Sequence, residues 1–94
     1  MGLKIEWTLK AASGYSKILA HLDREWTLRE VENFEEEVKT FLRHLSEYPE
    51  ILKPSKHKNI RRGPINKHTI LTYKIKPRKK KILLLSIRGS KQKP

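Results

Sequence analysis

Three side chains in the rear half of this 94-residue sequence could accept or return a proton during a reaction: His57, His68 and Tyr73. No carboxylate is available there, since no Asp or Glu follows Glu50. A lysine is a further candidate, because crowding by other cations lowers its pKa. Proton carriers of this kind, together with positive charge on the phosphorane, are what RNA cleavage through the 2′-oxygen requires.

The arginines of the same half supply the positive charge. Arg61 and Arg62 are adjacent at a predicted loop–strand junction, and Arg88 ends the last apolar run. Such guanidinium groups can bind phosphates or the carboxylates of a protein partner. The proton carriers also have structural interpretations: His68 as a solvent-facing residue at the start of a strand, and Tyr73 as a core residue. Catalysis by His68, Arg61 and Arg62 is therefore one of two interpretations.

Charge is distributed very unevenly along the chain. Residues 51–94 carry fifteen Lys and Arg and no acidic residue, whereas all ten acidic residues lie in residues 1–50. A surface without a binding role normally mixes both signs, because one-sided charge repels itself. The rear half is therefore predicted to face nucleic acid or an acidic protein.

The composition excludes several other classes of function. The absence of cysteine rules out disulfides and thiolate chemistry and suits a reducing cytoplasm. The irregularly spaced histidines form no metal-site pattern, and no motif calls for a cofactor. No apolar run reaches the ~18 residues of a membrane span. The chain is expected to be a small cytoplasmic domain comprising residues 1–94.

The front half predicts a strand followed by two helices. Apolar and polar residues alternate from Leu3 to Trp7, which is typical of a strand with one buried face. Apolar residues then recur at helical spacing up to Trp26, and Thr27–Glu30 has the pattern of a capping box that starts a second helix ending before Pro49. Because almost nothing joins the helices, they should form an antiparallel hairpin. Both Trp side chains are expected in the core.

The rear half predicts strands. A loop from Ile51 leads into a short strand near residues 57–61, which Gly63-Pro64 should break. Residues 68–76 and 81–88 are predicted as strands joined by a turn over residues 77–80. The fold class is therefore α+β in the order β-α-α-β-β-β, with a mostly antiparallel sheet and the helical hairpin on one face.

This order and several local strings resemble the RelE/ParE superfamily of bacterial type II toxin–antitoxin systems. The string Leu-Ser-Glu-Tyr-Pro at residues 45–49 is similar to the family's second helix end, and residues 67–75 resemble its strand with a basic residue before Tyr-Lys-Ile. Residues 87–94 are similar to the string after the last strand of one branch, although Lys91 stands where that branch has Arg and Gly89 where it has Asp.

The resemblance implies a toxin held silent by an acidic antitoxin. When free, such toxins either poison DNA gyrase, as ParE-like members do, or cut messenger RNA on the ribosome, as RelE-like members do. The tail after the last strand lacks the His or Tyr of many ribonuclease members, which favours the gyrase poison. The ribonuclease is the alternative, and a non-toxic nucleic-acid-binding module is a third. The residues predicted to bind nucleic acid or antitoxin are Lys56, Lys58, Arg61, Arg62, Arg88 and Lys91.

Overall fold

The front half folds into one strand and two helices, as the sequence predicts. A computed structural model describes residues 2–56 and 59–89. Strand β1 spans Lys4–Trp7, helix α1 Leu9–Glu25 and helix α2 Leu28–Glu47. Threonines cap both helices: the Thr8 hydroxyl accepts from the backbone N–H of Ala11, and the Thr27 hydroxyl from that of Glu30.

The two helices lie side by side as a hairpin. The rings of Tyr15 on α1 and Phe34 on α2 stack with centroids 6.0 Å apart. In a single straight helix these residues would be ~28 Å apart, at 1.5 Å per residue. The chain therefore reverses at Trp26 and Thr27, and the predicted antiparallel hairpin is confirmed.

The rear half forms most of a five-stranded sheet in the order β1-β5-β4-β3-β2. Its strands are β2 (Lys53–Pro54), β3 (Ile60–Asn66), β4 (Thr69–Lys76) and β5 (Lys81–Gly89), with a 3₁₀ turn over Pro77–Lys79. All neighbours pair antiparallel except β1 and β5, which are parallel. The predicted class, a mostly antiparallel sheet with a helical hairpin, is confirmed.

Two details of the predicted strand order are wrong. The chain has a two-residue strand, β2, that the sequence pattern did not indicate. In addition, Gly63-Pro64 does not break a strand but lies inside β3, where Pro64 pairs with Ile70. β2 pairs with β3 only at Arg61 and Arg62, so Pro64 has a neighbouring strand, β4, on one side only. Proline is tolerated there because the free edge of β3 needs no N–H donor.

The two faces of the sheet differ in character. One face packs under both helices and forms the hydrophobic core. The sheet residues buried there are Leu71, Tyr73, Ile82, Leu84 and Ile87. The other face, called the open face below, has no helix packed on it among the described residues.

A bulge in β5 decides which side chains reach the open face. Tyr73 pairs with Leu84 but Thr72 pairs with Ser86, so Leu85 is an extra residue in β5. Without it, strict alternation from Leu84 would turn Arg88 toward the core. The bulge keeps Ile87 in the core and places Arg88 on the open face.

The prediction that both tryptophans are core residues is wrong. Trp7 is 37% exposed and Trp26 is 42% exposed. Each lies at the end of an element, Trp7 at the last residue of β1 and Trp26 just after α1, where fewer neighbours surround the ring. Neither described helix is long and apolar enough to cross a membrane.

Candidate functional site: a cationic cleft

Two of the predicted arginines meet on the open face. Arg62 on β3 pairs with Thr72 on β4, which in turn pairs with Ser86 on β5. Arg88 lies two residues further along β5, and both arginine side chains are exposed. Arg62 and Arg88 line one pocket of about 500 Å³, which Thr72 and Ser86 also line.

Helix α1 supplies two further cations to this pocket. Lys10 and Lys17 line it together with Ser13 and Gly14. Their spacing of three, four and seven residues puts all four on one face of α1. The four cations Lys10, Lys17, Arg62 and Arg88, with the pocket they line, are called the cationic cleft below.

Helix α1 reaches the cleft because it lies directly against the edge of β5. The Thr8 hydroxyl donates to the Leu84 carbonyl at 2.7 Å and fixes the start of the helix there. Further along, Gly14 lies so near the strand that a Cβ would be 2.3 Å from the Ile87 carbonyl oxygen. Glycine thus permits the close approach of backbone to backbone that brings Lys10 and Lys17 over the sheet edge.

The cleft is cationic without compensation. No Asp or Glu lines it, and among the described residues none of its four cations forms an ion pair. Hydroxyl groups of Ser13, Thr72 and Ser86 add neutral hydrogen-bond donors. Charge and donors together fit the cleft for phosphate or carboxylate groups.

Arg61 does not join the cleft, although it is adjacent to Arg62. Its guanidinium donates to the Leu52 carbonyl at 2.8 Å and lies 3.9 Å from the carboxylate of Glu50. Alternation along β3 puts it on the core side, opposite Tyr73. Arg61 therefore holds the loop that follows α2.

The two predicted proton carriers that the structure describes, His68 and Tyr73, are also away from the cleft. His68 lies in the turn before β4 and its ring meets that of Trp26 edge-on, with centroids 6.1 Å apart. Both line an apolar groove of about 710 Å³ between the helical hairpin and the β3–β4 turn. Tyr73 is fully buried, its hydroxyl donates to the Pro49 carbonyl at 2.6 Å, and burial raises its pKa above 10.0. Tyr73 is thus a core residue.

Comparison with known proteins places the chain in a family. The sequence model for the ParE toxin of the type II toxin–antitoxin system parDE matches residues 5–94. The chain belongs to this family of toxins.

Three solved structures share the fold. A chromosomal ParDE system from P. aeruginosa matches with a TM-score of 0.75 at 18% identity, covering 93% of this chain and 95% of that one. The RelBE2 toxin–antitoxin complex from Mycobacterium tuberculosis matches with a TM-score of 0.64 at 15% identity, covering 95% and 99%. A conserved hypothetical protein from Helicobacter pylori matches with a TM-score of 0.58 at 20% identity, covering 96% and 97%. No curated protein sequence matches significantly.

The remaining predicted site residues of this ParE-family toxin do not line the cleft or lie outside the described residues. Lys56 is exposed in the segment between β2 and β3. His57, Lys58 and Lys91 lie outside the described residues. Within the described part of the chain, no three His, Asp or Glu side chains come together as a metal site.

Sequence reasoning missed Lys10 and Lys17. Both fall in the front half, whose net charge is negative, so a comparison of the two halves hid them. A signal was present: two lysines seven residues apart with Ser13 and Gly14 between them make one cationic, close-packing stripe along a helix. What the sequence lacks is any sign that this stripe faces the sheet edge.

Proposed function

We propose that this ParE-family toxin is neutralised by an acidic antitoxin and, when free, poisons DNA gyrase in the cytoplasm without cutting a substrate. The cationic cleft is the surface that would engage the target and that the antitoxin would cover. Arg62 and Arg88 are the sequence-predicted residues that we assign to it, and Lys10 and Lys17 complete it.

The observation that supports a non-catalytic toxin is the absence of a proton carrier from the described part of the cleft. Its lining includes no His, Tyr, Asp or Glu. His68 and Tyr73 belong to the other side of the sheet. Burial raises the pKa of Tyr73, so its phenol stays protonated at neutral pH and cannot serve as a base. Positive charge alone binds and orients an anion, but general acid–base chemistry needs a group that exchanges protons near pH 7.

An acidic antitoxin fits the unneutralised charge of the cleft. The structural relatives from P. aeruginosa and M. tuberculosis are parts of toxin–antitoxin systems. Carboxylates of a partner would pair bidentately with the guanidinium groups of Arg62 and Arg88. Outer contacts are proposed for Lys56, and for Lys58 and Lys91, which lie outside the described residues.

The RelE-like ribonuclease is the second candidate. Two arginines beside two lysines could neutralise a phosphorane, and Lys10 or Lys17 would then have to serve as the base. This route predicts messages cut within codons on the ribosome. A non-toxic binding module would leave growth unaffected on induction.

One experiment separates these functions. The toxin is added to purified gyrase with supercoiled plasmid, and in parallel to a translating ribosome system whose message is mapped by primer extension. We expect gyrase-dependent DNA breaks and an intact message. The double variant Arg62→Gln/Arg88→Gln should lose the DNA breaks, whereas Lys39→Gln/Arg43→Gln, which removes two exposed charges from α2, should retain them. Codon-specific cuts with undamaged plasmid would refute the gyrase proposal.

A further inference from the structure

A second group of cations lies at the opposite end of the open face. Lys4 on β1 pairs with Lys81 on β5, and Lys81 pairs with Lys76 on β4. Three lysines thus stand side by side across three neighbouring strands, on the face that also bears Arg62 and Arg88. They are called the lysine row below.

The lysine row is not needed to hold the sheet together. Like charges directly opposite each other on neighbouring strands destabilise a sheet. Lys81 is relieved by Glu6, whose carboxylate lies 3.2 Å from its ammonium group. Lys4 and Lys76 form no ion pair with any described residue. A row of this kind is stabilised when a polyanion lies over it.

The row and the cleft are spaced along the strand direction. Lys76 is four residues from Thr72, the partner of Arg62, and six from Ile70, the partner of Arg88. At ~3.4 Å per residue this separates the two cation groups by about 14 to 20 Å. One strand of B-DNA has a phosphate every ~3.4 Å of its axis, so the same span corresponds to about four to six phosphates.

The open face offers no aromatic platform for nucleic-acid bases. None of the described residues that alternation places on it is aromatic, so it lacks the stacking platform of typical single-strand-binding proteins. The open-face residues of the five strands are Lys4, Glu6, Lys53, Ile60, Arg62, Pro64, Ile70, Thr72, Lys74, Lys76, Lys81, Leu83, Ser86 and Arg88. The face also lacks the aromatic anchor of a typical protein interface, and the large apolar groove beside Trp26 lies on the helical side.

We propose that the lysine row and the cationic cleft together form a phosphate track that binds the backbone of nucleic acid without sequence preference. The phosphate track adds a binding partner to the proposed function, and the role of the track in the cell rests on that function. It assigns Lys4 and Lys76, which no motif singled out, to the functional surface. It also implies that the toxin contacts the nucleic acid of its target directly.

The test is binding of fluorescein-labelled 16-base-pair duplexes, measured by anisotropy with the full-length toxin between 50 and 200 mM salt. Two DNA duplexes of unrelated sequence should bind within threefold of each other. The slope of log affinity against log salt should be about −4 to −5, since each neutralised phosphate contributes ~0.9. An RNA duplex of equal length identifies which nucleic acid supplies the phosphates, and preference for either supports the track.

Three double variants remove the same charge from different places. Arg62→Gln/Arg88→Gln and Lys4→Gln/Lys76→Gln should each weaken duplex binding about tenfold and reduce the slope by ~1.8. The matched control, Lys39→Gln/Arg43→Gln, alters exposed residues of α2 on the other side of the molecule and should change affinity less than threefold. All six residues except Lys76 are exposed, and circular dichroism checks that each variant is folded.

Several results would overturn the track. Equal losses in all three variants would mean that only total charge matters. A wild-type slope weaker than about −2 would mean too few phosphate contacts to span both groups. A polyglutamate peptide could also bind more tightly than the duplex at the same salt, while the variants lose affinity for the peptide only. That result would assign the face to an acidic protein. The two proposals fail separately. Gyrase-dependent DNA breaks without duplex binding would reject the track alone. Duplex binding without such breaks would reject the gyrase proposal and leave the track supported.

Discussion

Arg61 and Arg62 are neighbours in sequence, but the structure gives them different tasks, and substituting each with Gln should separate those tasks. Arg61 donates to the Leu52 carbonyl at 2.8 Å from a side chain that is 21% exposed. A hydrogen bond from a charged donor contributes ~1.5 to 3 kcal/mol, and partial exposure favours the lower end. The ion pair with Glu50 adds little, because that carboxylate is 78% exposed and the separation is 3.9 Å.

We therefore expect Arg61→Gln to lower the free energy of unfolding by about 1.5 kcal/mol. In a domain of this size that corresponds to a fall in Tm of about 8 °C. Arg62→Gln should change stability by less than ~0.5 kcal/mol, because Arg62 is exposed and forms no ion pair among the described residues.

Urea unfolding followed by circular dichroism measures both changes, and toxicity on induction is scored in parallel. Arg62→Gln should reduce toxicity while remaining as stable as the wild type. Arg61→Gln should reduce stability and keep the affinity of the folded protein for its target. Equal destabilisation by the two substitutions, or none by Arg61→Gln, would refute the assignment of these side chains to opposite faces of β3.

Three further substitutions test contacts that hold the helices and the sheet together. Gly14→Ala should lower the Tm, because the new Cβ would be 2.3 Å from the Ile87 carbonyl oxygen of β5, and this clash outweighs the ~1 kcal/mol that alanine gains in helix propensity. The control is Ser16→Ala, at an exposed position of the same helix, which should leave the Tm unchanged or raise it. Thr8→Ala should cost about 2 kcal/mol in urea unfolding, because it removes the α1 cap and leaves the Leu84 carbonyl without its hydroxyl donor. Tyr73→Phe should cost about 1 to 2 kcal/mol at pH 7. Burial raises the pKa of Tyr73 above 10.0, so the neutral hydroxyl contributes its full stabilisation below pH 10 and loses it as pH rises through the raised pKa. The free energy of unfolding should therefore fall less at alkaline pH in Tyr73→Phe than in the wild type.

The sequence predicts the elements of this fold well because their signals are local. The Thr27 capping box and the change from alternating to helical spacing depend only on neighbouring residues. The prediction fails where strand neighbours decide the outcome. Gly63-Pro64 reads as a break, yet β3 continues because its outer edge is unpaired there.

The candidate site is less predictable than the fold, because two of its features come from tertiary structure. The bulge at Leu85 turns Arg88 to the open face, and nothing in the apolar run of β5 indicates where the extra residue falls. Lys10 and Lys17 reach the cleft only because α1 lies against the edge of β5. The predicted pairing of Arg61 with Arg62 assumed that adjacent residues act together, whereas alternation along a strand separates them.

The sheet also separates the charges of the molecule. Cations predominate on the open face, whereas five glutamates lie between Glu30 and Glu37 on α2, which packs on the core side. Such a distribution gives the molecule a strong dipole, and a dipole orients a charged partner during approach at ionic strengths where the Debye length is ~10 Å. A polyanion therefore meets the open face first and is repelled by α2. It follows that an antitoxin that covers the open face with carboxylates would remove both the contacts for the target and the field that attracts it.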